Sequence, residues 1–458
     1  MADSVYQAWL NTVARNPRKI LLTDAGSGTS WSAAAIQAAV EALDREIPGR
    51  KSWARRVVLI HLPNSFDWLT AFLLCQKRHS IALSLDTDTS PERIPALREQ
   101  LRVAACRTLA GFEHFPARPS YRLPACLIKL TSGATGTPKP LFFTDSEMRA
   151  DARQVGASMG LSTDDSNYAA IPFGHSYGLG NLVFPLILEG IPSVLARDIF
   201  PAGIALDFER TRPTFFPAVP TLLRALAQSE VSPESFRSLR RVISAGSFLP
   251  PAVARLFRDK LGITPRNFYG SSETGGIAFD RTGEATLTGR SVGSPLEGVR
   301  VVTTPTRRLK IISPAVHTCY NRLRADGMGA QVLADFGEIL GNGEIRLTGR
   351  RRTLLKVAGR RLNPMELENA VLARPDVDHA FVDTYPAGGG ESHIALVYEG
   401  DAGPDDLRSH LRNSFPRWKT PRKIIRHPFP LTHRGKVRVD ALKGIVQRAT
   451  SGKATPGG

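Results

Sequence analysis

The segment LTSGATGTPKP, residues 130–140, combines hydroxyl side chains, two glycines and one lysine in a single short turn. It continues from LIKL (127–130), an apolar run that is typical of a short buried strand. Hydroxyl groups, glycine amides and a lysine ammonium can together surround the oxygens of a phosphate group. We therefore expect a phosphate-binding loop that contains Thr131, Ser132, Gly133, Thr135, Gly136 and Lys139.

This loop differs from the Walker pattern of kinases and GTPases. Its glycines, Gly133 and Gly136, lie three positions apart, and Pro138 separates Thr137 from Lys139. The pattern G-x-x-x-x-G-K-[ST] is therefore absent, which argues against a P-loop phosphotransferase. Taken alone, the segment is also compatible with a polar surface turn.

Six further segments give the loop its context. They are NFYGSSETGG (267–276), SVGSPLEGV (291–299), LKIISP (309–314), VLADFGEI (332–339), LTGRRRTLLKVAGRRLNPMELE (347–368) and LTHRGKVRVDAL (431–442). In this order they resemble the motifs of the adenylate-forming superfamily of acyl-CoA synthetases, peptide-synthetase adenylation domains and luciferases. The resemblance implies an enzyme that makes an acyl adenylate from a carboxylic acid, ATP and Mg²⁺, releases pyrophosphate, and passes the acyl group to a thiol.

The resemblance also implies roles for residues around ATP. The loop lysine, Lys139, would help to hold the β and γ phosphates, Glu273 matches the glutamate linked to magnesium, and Ser272 replaces the usual threonine near the α-phosphate. Tyr269 would pack near adenine, and Asp335 would bind the ribose hydroxyls, although the family's TGD reads LAD here. The alternative for Glu273 is an ordinary surface glutamate.

The C-terminal segments resemble the family's mobile domain. Lys436 in HRGKV matches the lysine that neutralises charge between the acyl carboxylate and the α-phosphate. Arg350 would meet ribose or phosphate, unless it is only one of three consecutive solvated arginines, and the family's hinge position is Arg352. Rotation about that hinge would present a second face to the thiol, formed by Lys356, Gly359 and Arg360.

Selectivity for the acid should come from the segments 171–181, 244–249 and 275–279. The family's FD motif, whose aspartate binds an amino group, reads PFG here, so amino-acid activation is disfavoured. The GLGN and SAG strings look most like aryl-acid ligases of the benzoate and hydroxybenzoate types, and an aryl or a fatty acid both remain open as the substrate. We expect the acid to contact His175, Tyr177, Gly246 and Gly275, with a core histidine as the alternative for His175.

Apolar strands alternate with amphipathic helices along the chain, which predicts an α/β fold with parallel sheet covered by helices. Examples are VVLIHL (57–62), a helix over 65–78, SIALSLD (80–86) and a helix over 90–101 that starts at Ser90 and Pro91. We predict a large N-terminal domain of parallel and mixed sheets layered with helices over 1–348. A small mobile α+β domain over 349–450 and a disordered tail over 451–458 would follow.

The chain has a formal net charge of +18, and residues 349–458 hold 20 Lys and Arg against 11 Asp and Glu. This basic region favours either a solvated surface or an acidic partner such as an acyl carrier protein, so coenzyme A and the carrier's phosphopantetheine arm both remain open as thiols. No nucleic-acid motif is present, and no nucleic-acid partner is expected.

Two further features bear on the setting of the protein. The four cysteines are scattered without CxxC spacing, which argues against disulfides or a structural metal and favours a reducing cytoplasm. No signal peptide or membrane span is expected, since Pro63, Asn64 and Asp67 interrupt the most apolar early stretch. Two alternatives remain: an ATP-dependent phosphotransferase, and a nucleic-acid-binding protein with a vestigial nucleotide site.

Overall fold

The computed structural model describes residues 4–47, 53–85, 87, 89, 93–116, 120–131, 139–318, 328–350, 355–357, 360–374, 376–386, 392–430 and 438–450. The strands are β1 Ile20–Asp24, β2 Ser30–Ser32, β3 Val57–Ile60, β4 Ile81–Ser84, β5 Val103–Thr108, β6 Gly111–His114, β7 Leu127–Thr131, β8 Lys139–Phe143, β9 Asn167–Ala169, β10 Ser193–Leu195, β11 Phe215–Ala218, β12 Arg241–Ser244, β13 Arg266–Ser271, β14 Gly275–Phe279, β15 Ser294–Pro295, β16 Arg300–Thr303, β17 Arg308–Ser313, β18 Gly329–Ile339, β19 Ile345–Arg350, β20 Leu355–Val357, β21 Arg360–Leu362, β22 Val377–Pro386, β23 Ser392–Gly400 and β24 Lys423–Arg426.

The α-helices are α1 Val5–Arg15, α2 Ala33–Glu46, α3 Phe66–Lys77, α4 Arg93–Gln100, α5 Asp145–Met159, α6 Ser176–Gly178, α7 Phe184–Glu189, α8 Pro201–Thr211, α9 Pro220–Gln228, α10 Pro251–Leu261, α11 Glu284–Thr288, α12 Pro364–Leu372, α13 Pro404–Ser414 and α14 Val439–Thr450. A π-helix spans Leu179–Val183, and 3₁₀ turns span Pro233–Phe236 and Arg417–Lys419. Within these ranges no helix is both long and apolar enough to cross a bilayer.

The largest sheet positions most of the predicted site. In the described part of the chain it has nine strands, in the order β15-β14-β13-β12-β11-β9-β10-β1-β2. Strands β1 and β9 to β13 run parallel, whereas β2, β14 and β15 pair antiparallel with their neighbours. The chain continues from β9 to β10 on one side of β9 and then returns to β11 on the other. In open α/β sheets, ligands bind at such a reversal, beyond the carboxyl ends of the strands.

A second sheet carries the phosphate loop. Its described strands have the order β6-β5-β3-β4-β7-β8, with β3, β4, β5 and β7 parallel and β6 and β8 antiparallel at the two edges. Strand β7 is the strand predicted from LIKL. Pro140 pairs with Leu130 on edge strand β8. Proline has no N–H to donate to a ladder, and an edge strand is the place in a sheet that tolerates it.

The C-terminal sheets are smaller. The described strands pair as β16-β17-β18-β19, β20-β21 and β22-β23-β24, antiparallel except for β23 with β24. Arg224 on α9 pairs with Asp378 at the start of β22 and joins this region to the larger sheet. The domain boundary after residue 348 and the hinge at Arg352 stay predictions, because residues 351–354 lie outside the described ranges.

The α/β fold class predicted from the sequence is confirmed. The strand, helix and strand read from 57 to 86 are β3, α3 and β4, and the side chain of Ser65 caps α3 by accepting the N–H of Trp68. The predicted start of α4 at Ser90 and Pro91 lies outside the described residues. The main buried apolar cluster contains residues of both large sheets and of the helices between them, including Trp68, Phe72 and Phe184.

Candidate functional site

Several predicted site residues lie where neighbouring parallel strands end. His175 follows β9, Gly246 follows β12, and Ser272 and Glu273 follow β13. Strands β9, β11, β12 and β13 are consecutive neighbours, so their carboxyl ends form one edge of the sheet. This edge includes the reversal at β9, where an α/β fold leaves a crevice for a ligand.

The segment that leads from β9 to His175 is held by Asn64. The Asn64 side-chain amide donates to the carbonyls of Ala169 (3.1 Å) and Ile171 (2.7 Å), and its oxygen accepts the N–H of Phe173 (2.6 Å). Residue 64 therefore fixes a loop more than a hundred positions away. Local sequence patterns gave no sign of this contact.

His175 lies at the start of α6, with Nδ1 accepting the N–H of Tyr177 at 3.3 Å. Its side chain is exposed, so the alternative that His175 is a core histidine is wrong. The GLGN string (178–181) begins at the end of α6 and runs into the π-helix that follows, Leu179–Val183. Such departures from α-helical geometry are frequent at functional sites.

Tyr177 is buried beneath this edge of the sheet. Its hydroxyl lies 3.2 Å from the carbonyl oxygen of Ala218 and 3.4 Å from that of Ile243. Burial raises the pKa of Tyr177 well above its ordinary value. The hydroxyl therefore bonds to β11 and β12, and only the ring is left for the predicted contact with an acid.

The turn between β13 and β14 carries Glu273. Ser272 Oγ lies 3.0 Å from Ser176 Oγ, and the N–H of His317 donates to the carbonyl of Glu273 at 3.3 Å. The hydrogen bond between the two serines joins the segment after β9 to the segment after β13. Tyr269 lies half-buried on β13, four residues before Glu273.

Gly275 and Gly246 have different surroundings, although both have positive φ. Gly275 (φ 71°) is buried, and a Cβ there would lie 2.2 Å from Asp151 Oδ1. Gly246 (φ 89°) is exposed, and its nearest neighbour would be a Val219 methyl group at 3.7 Å. Gly246 therefore borders open space at the carboxyl end of β12, whereas Gly275 packs tightly against the carboxylate of Asp151.

The phosphate loop begins and ends on a hairpin. Thr131 on β7 pairs with Lys139 on β8, and the Lys139 side chain is exposed. The loop residues Ser132, Gly133, Thr135 and Gly136 lie outside the described residues, so their predicted roles stay predictions. The hairpin does show that both ends of the loop leave one edge of the second sheet together.

A buried group of charges adjoins the Glu273 turn, and the sequence analysis missed it. Lys129 Nζ lies 3.9 Å from Asp151 Oδ2, and both side chains are almost wholly buried. Burial lowers the pKa of Lys129, and the carboxylates of Asp151, Glu147 and Glu273 oppose that shift. Burial likewise lowers the pKa of His317, against Glu147 and Glu273. A lysine inside the apolar run LIKL was the available signal.

The predicted ribose and C-terminal residues are only partly described. Asp335 lies half-buried on β18 and pairs with Arg350 on β19. Arg360 is exposed, with its guanidinium 5.4 Å from the centre of the Trp418 ring. The side chains of Arg350 and Lys356, and all of Arg352, Gly359 and Lys436, lie outside the described residues.

The oxygen ligands at the Glu273 turn suit an Mg²⁺ ion that is bound to the phosphates of a nucleotide. No group of three or more His, Cys, Asp or Glu residues in the described ranges could hold a metal alone. Mg²⁺ in nucleotide sites is instead held by one or two carboxylates together with substrate phosphates. Glu273, half-buried and next to Ser272 in the sequence, fits that arrangement.

A cavity of about 410 Å³ lies elsewhere, beside the amino ends of β9 and β10. Its lining includes Ser166, Ser193 and Arg210 but none of the predicted site residues. The position of the candidate site therefore rests on strand topology and hydrogen bonding rather than on cavity size.

Comparisons with known proteins show what the chain is similar to. The family model described as AMP-binding enzyme matches residues 117–309. The 4-hydroxybenzoate–CoA/benzoate–CoA ligase of Rhodopseudomonas palustris is 28% identical over 338 residues, which are 67% of this chain and 62% of that protein. The benzoate–CoA ligase of Thauera aromatica is 28% identical over 72% of this chain and 67% of its own length.

Among solved structures, ATP-bound MatB from Rhodopseudomonas palustris superposes with a TM-score of 0.82 and 19% identity, covering 97% of this chain and 99% of that one. At this identity the likeness concerns the fold. It extends over nearly the whole length of both chains, whereas the alignment with the first curated relative spans less than two thirds of that protein.

Proposed function

The chain belongs to the adenylate-forming superfamily, and on that premise we propose that it joins a carboxylic acid to a thiol through an acyl adenylate. In the first step a carboxylate oxygen attacks the α-phosphorus of ATP, and the bond from that phosphorus to the pyrophosphate oxygen breaks. In the second step a thiolate attacks the acyl carbon and AMP leaves.

One observation carries the proposal: the hydrogen bond between Ser176 and Ser272, 3.0 Å long. It brings the segment predicted to face the acid against the turn predicted to face the α-phosphate. An adenylating enzyme needs the acid and the α-phosphate side by side, since their atoms form the new bond. A kinase acting on the γ-phosphate has no such need.

Different residues of the chain would bind and neutralise different parts of the reactants in the first step. Both reactants are anions, so cations and N–H or O–H donors must reduce their repulsion. The loop from Thr131 to Lys139 would hold the departing pyrophosphate, and Lys436 would lie between the carboxylate and the α-phosphate. Glu273 would hold the Mg²⁺ that comes with the nucleotide and neutralises its phosphates. Tyr269 and Asp335 would orient the adenosine.

The second step would use a different face of the C-terminal region. Rotation near Arg352 would withdraw Lys436 and bring the segment with Lys356, Gly359 and Arg360 to the acyl adenylate. We propose domains over 1–348 and 349–450 on either side of this hinge. The contact between Arg224 and Asp378 lies between these two parts, so the rotation would have to break it.

We propose an aryl acid as the substrate and coenzyme A as the first thiol to test. The named relatives act on benzoate and 4-hydroxybenzoate. Residues exposed in the predicted acid-binding segments include His175, Gly246 and Phe248, whose two rings and absent side chain suit contact with an aromatic acid. An acidic acyl carrier protein is the competing acceptor, because residues 349–458 carry a net charge of +9.

The test is acid-dependent release of pyrophosphate across a panel of benzoates, cinnamates and fatty acids. Each acid is run with coenzyme A and with a carrier protein, and the nucleotide product is identified. AMP and pyrophosphate with an aryl acid support the proposal. ADP would point to a phosphotransferase, and absence of turnover with steeply salt-dependent RNA or DNA binding would point to a nucleic-acid-binding protein.

Lys436→Ala tests the two-face arrangement directly. It should abolish adenylation but leave thioester formation from a supplied acyl adenylate, because the lysine is withdrawn in the second step. Arg438→Ala, two residues away in the same segment, is the matched control. Equal loss of both half-reactions in Lys436→Ala would contradict the assignment.

A further inference from the structure

Lys129 is a buried charged side chain within the apolar run LIKL. It lies on β7, 4% exposed, two residues before Thr131 at the start of the phosphate loop. Its ammonium lies 4.3 Å from the centre of the Phe143 ring and 3.9 Å from Asp151 Oδ2. Buried ion pairs are poor stabilisers compared with apolar side chains of the same size. The presence of a cation here therefore calls for a reason other than stability.

Asp151 connects Lys129 to the Glu273 turn. The aspartate lies on α5 and is 3% exposed. Its second oxygen accepts the N–H of Gly276 at 2.9 Å, and the carboxylate packs directly on Gly275. The Asp151 carboxylate thus contacts two segments. It contacts Lys129 on the strand that leads into the phosphate loop, and it contacts Gly275 and Gly276 beside the turn that carries Glu273.

Charge supplies a second part of the argument. Lys129 interacts with the carboxylates of Glu147 and Glu273 as well as with that of Asp151. One buried cation therefore interacts with three carboxylates, of which Asp151 forms the ion pair. Without it, repulsion between these acids in a poorly hydrated space would push the most accessible of them, Glu273, towards solvent.

We propose that Lys129 and Asp151 are a positioning pair, which sets the distance between the phosphate loop and the Glu273 turn and so tunes the adenylation step. The proposal rests on the proposed function. Neither residue touches the reactants, and both act through the segments that do. A misplacement of about 1 Å at such segments lowers the rate of a reaction by about a hundredfold.

The test compares Lys129→Met with Lys77→Met in the full chain. Lys77 also forms an ion pair, with Asp44 at 3.1 Å, but lies on α3 away from the site motifs. Lys129→Met should lower acid-dependent pyrophosphate exchange about ten- to a hundredfold and raise the KM for ATP. It should leave thioester formation from a supplied acyl adenylate unchanged. Lys77→Met should leave both half-reactions unchanged, even where it lowers the thermal stability.

Hydrogen exchange gives a readout that does not need turnover. Amides of residues 270–279 should exchange faster in Lys129→Met than in Lys77→Met, because the hydrogen bond from Gly276 to Asp151 is weakened. If Lys129→Met does not fold, Asp151→Asn replaces it, since asparagine keeps an oxygen for the Gly276 N–H and removes the negative charge that Lys129 pairs with. The same selective loss of adenylation is expected.

The outcomes are distinguishable. Equal loss of both half-reactions in Lys129→Met, or unchanged exchange over 270–279, would overturn the positioning role and leave a structural ion pair. A wild-type chain without acid-dependent pyrophosphate exchange would refute the proposed function, and with it the catalytic meaning of the pair. An active wild type with a fully active Lys129→Met would refute the pair alone.

Discussion

Gly275→Ala should destabilise the protein well beyond the usual cost of losing a glycine. At φ 71° an alanine costs about 1 kcal/mol in backbone strain. Its Cβ would also lie 2.2 Å from Asp151 Oδ1, so the carboxylate must move and give up the N–H of Gly276, for a further loss of about 2 kcal/mol. We expect the free energy of unfolding to fall by about 3 kcal/mol.

Gly262→Ala is the matched control. Gly262 has φ 74° at the end of α10, and a Cβ there would meet nothing within 4 Å, so only the backbone cost of about 1 kcal/mol remains. Urea unfolding followed by tryptophan fluorescence compares the two variants. Equal losses would refute the close packing of Asp151. A raised KM for the acid with unchanged stability would show instead that Gly275 lines the acid pocket.

Three further predictions concern other parts of the chain. Burial raises the pKa of Glu368 to about 7 from its ordinary 4.5. Between these two pH values the folded chain keeps a proton that the unfolded chain releases, so the free energy of unfolding falls as the pH rises from 4.5 towards 7. Glu368→Gln, which mimics the protonated acid, should therefore match wild type near pH 4.5 and exceed it by at most about 3 kcal/mol at pH 8, and a pH-independent difference in urea unfolding would count against this. Tyr177→Phe should cost about 1 kcal/mol in unfolding free energy and leave the KM for the acid unchanged, whereas a raised KM would place the hydroxyl in the pocket. Arg224→Met should lower the free energy of unfolding by about 1 kcal/mol, since Asp378 is partly hydrated, and unchanged stability in the same assay would show that the contact with the C-terminal region contributes nothing.

Local sequence patterns predicted single helices, strands and motifs. Strand β7 and helix α3 were predicted because their apolar residues follow local patterns that lie within about a dozen residues. Glu273 and His175 were assigned to the site because their segments resemble the family motifs. These predictions needed no knowledge of distant contacts.

The missed features all depend on contacts between distant residues. Asn64 binds the loop at 169–173, and Asp151 binds Gly276, across 125 positions. Neither contact leaves a trace in local periodicity. The hydroxyl of Tyr177 could equally have pointed into the crevice, and only the packing of β11 and β12 decides that it does not.

Pro140, which follows Lys139 on the edge strand β8, affects how readily two molecules associate through their sheet edges at high concentration. Strand β8 ends its sheet in the described part of the chain, and the apolar residues Leu141, Phe142 and Phe143 follow Pro140 along it. An open edge of this composition invites a strand from another molecule to continue the sheet. Because Pro140 presents no N–H there, an incoming strand would leave one of its carbonyls without a partner. Pro140 thus opposes edge-to-edge association at β8.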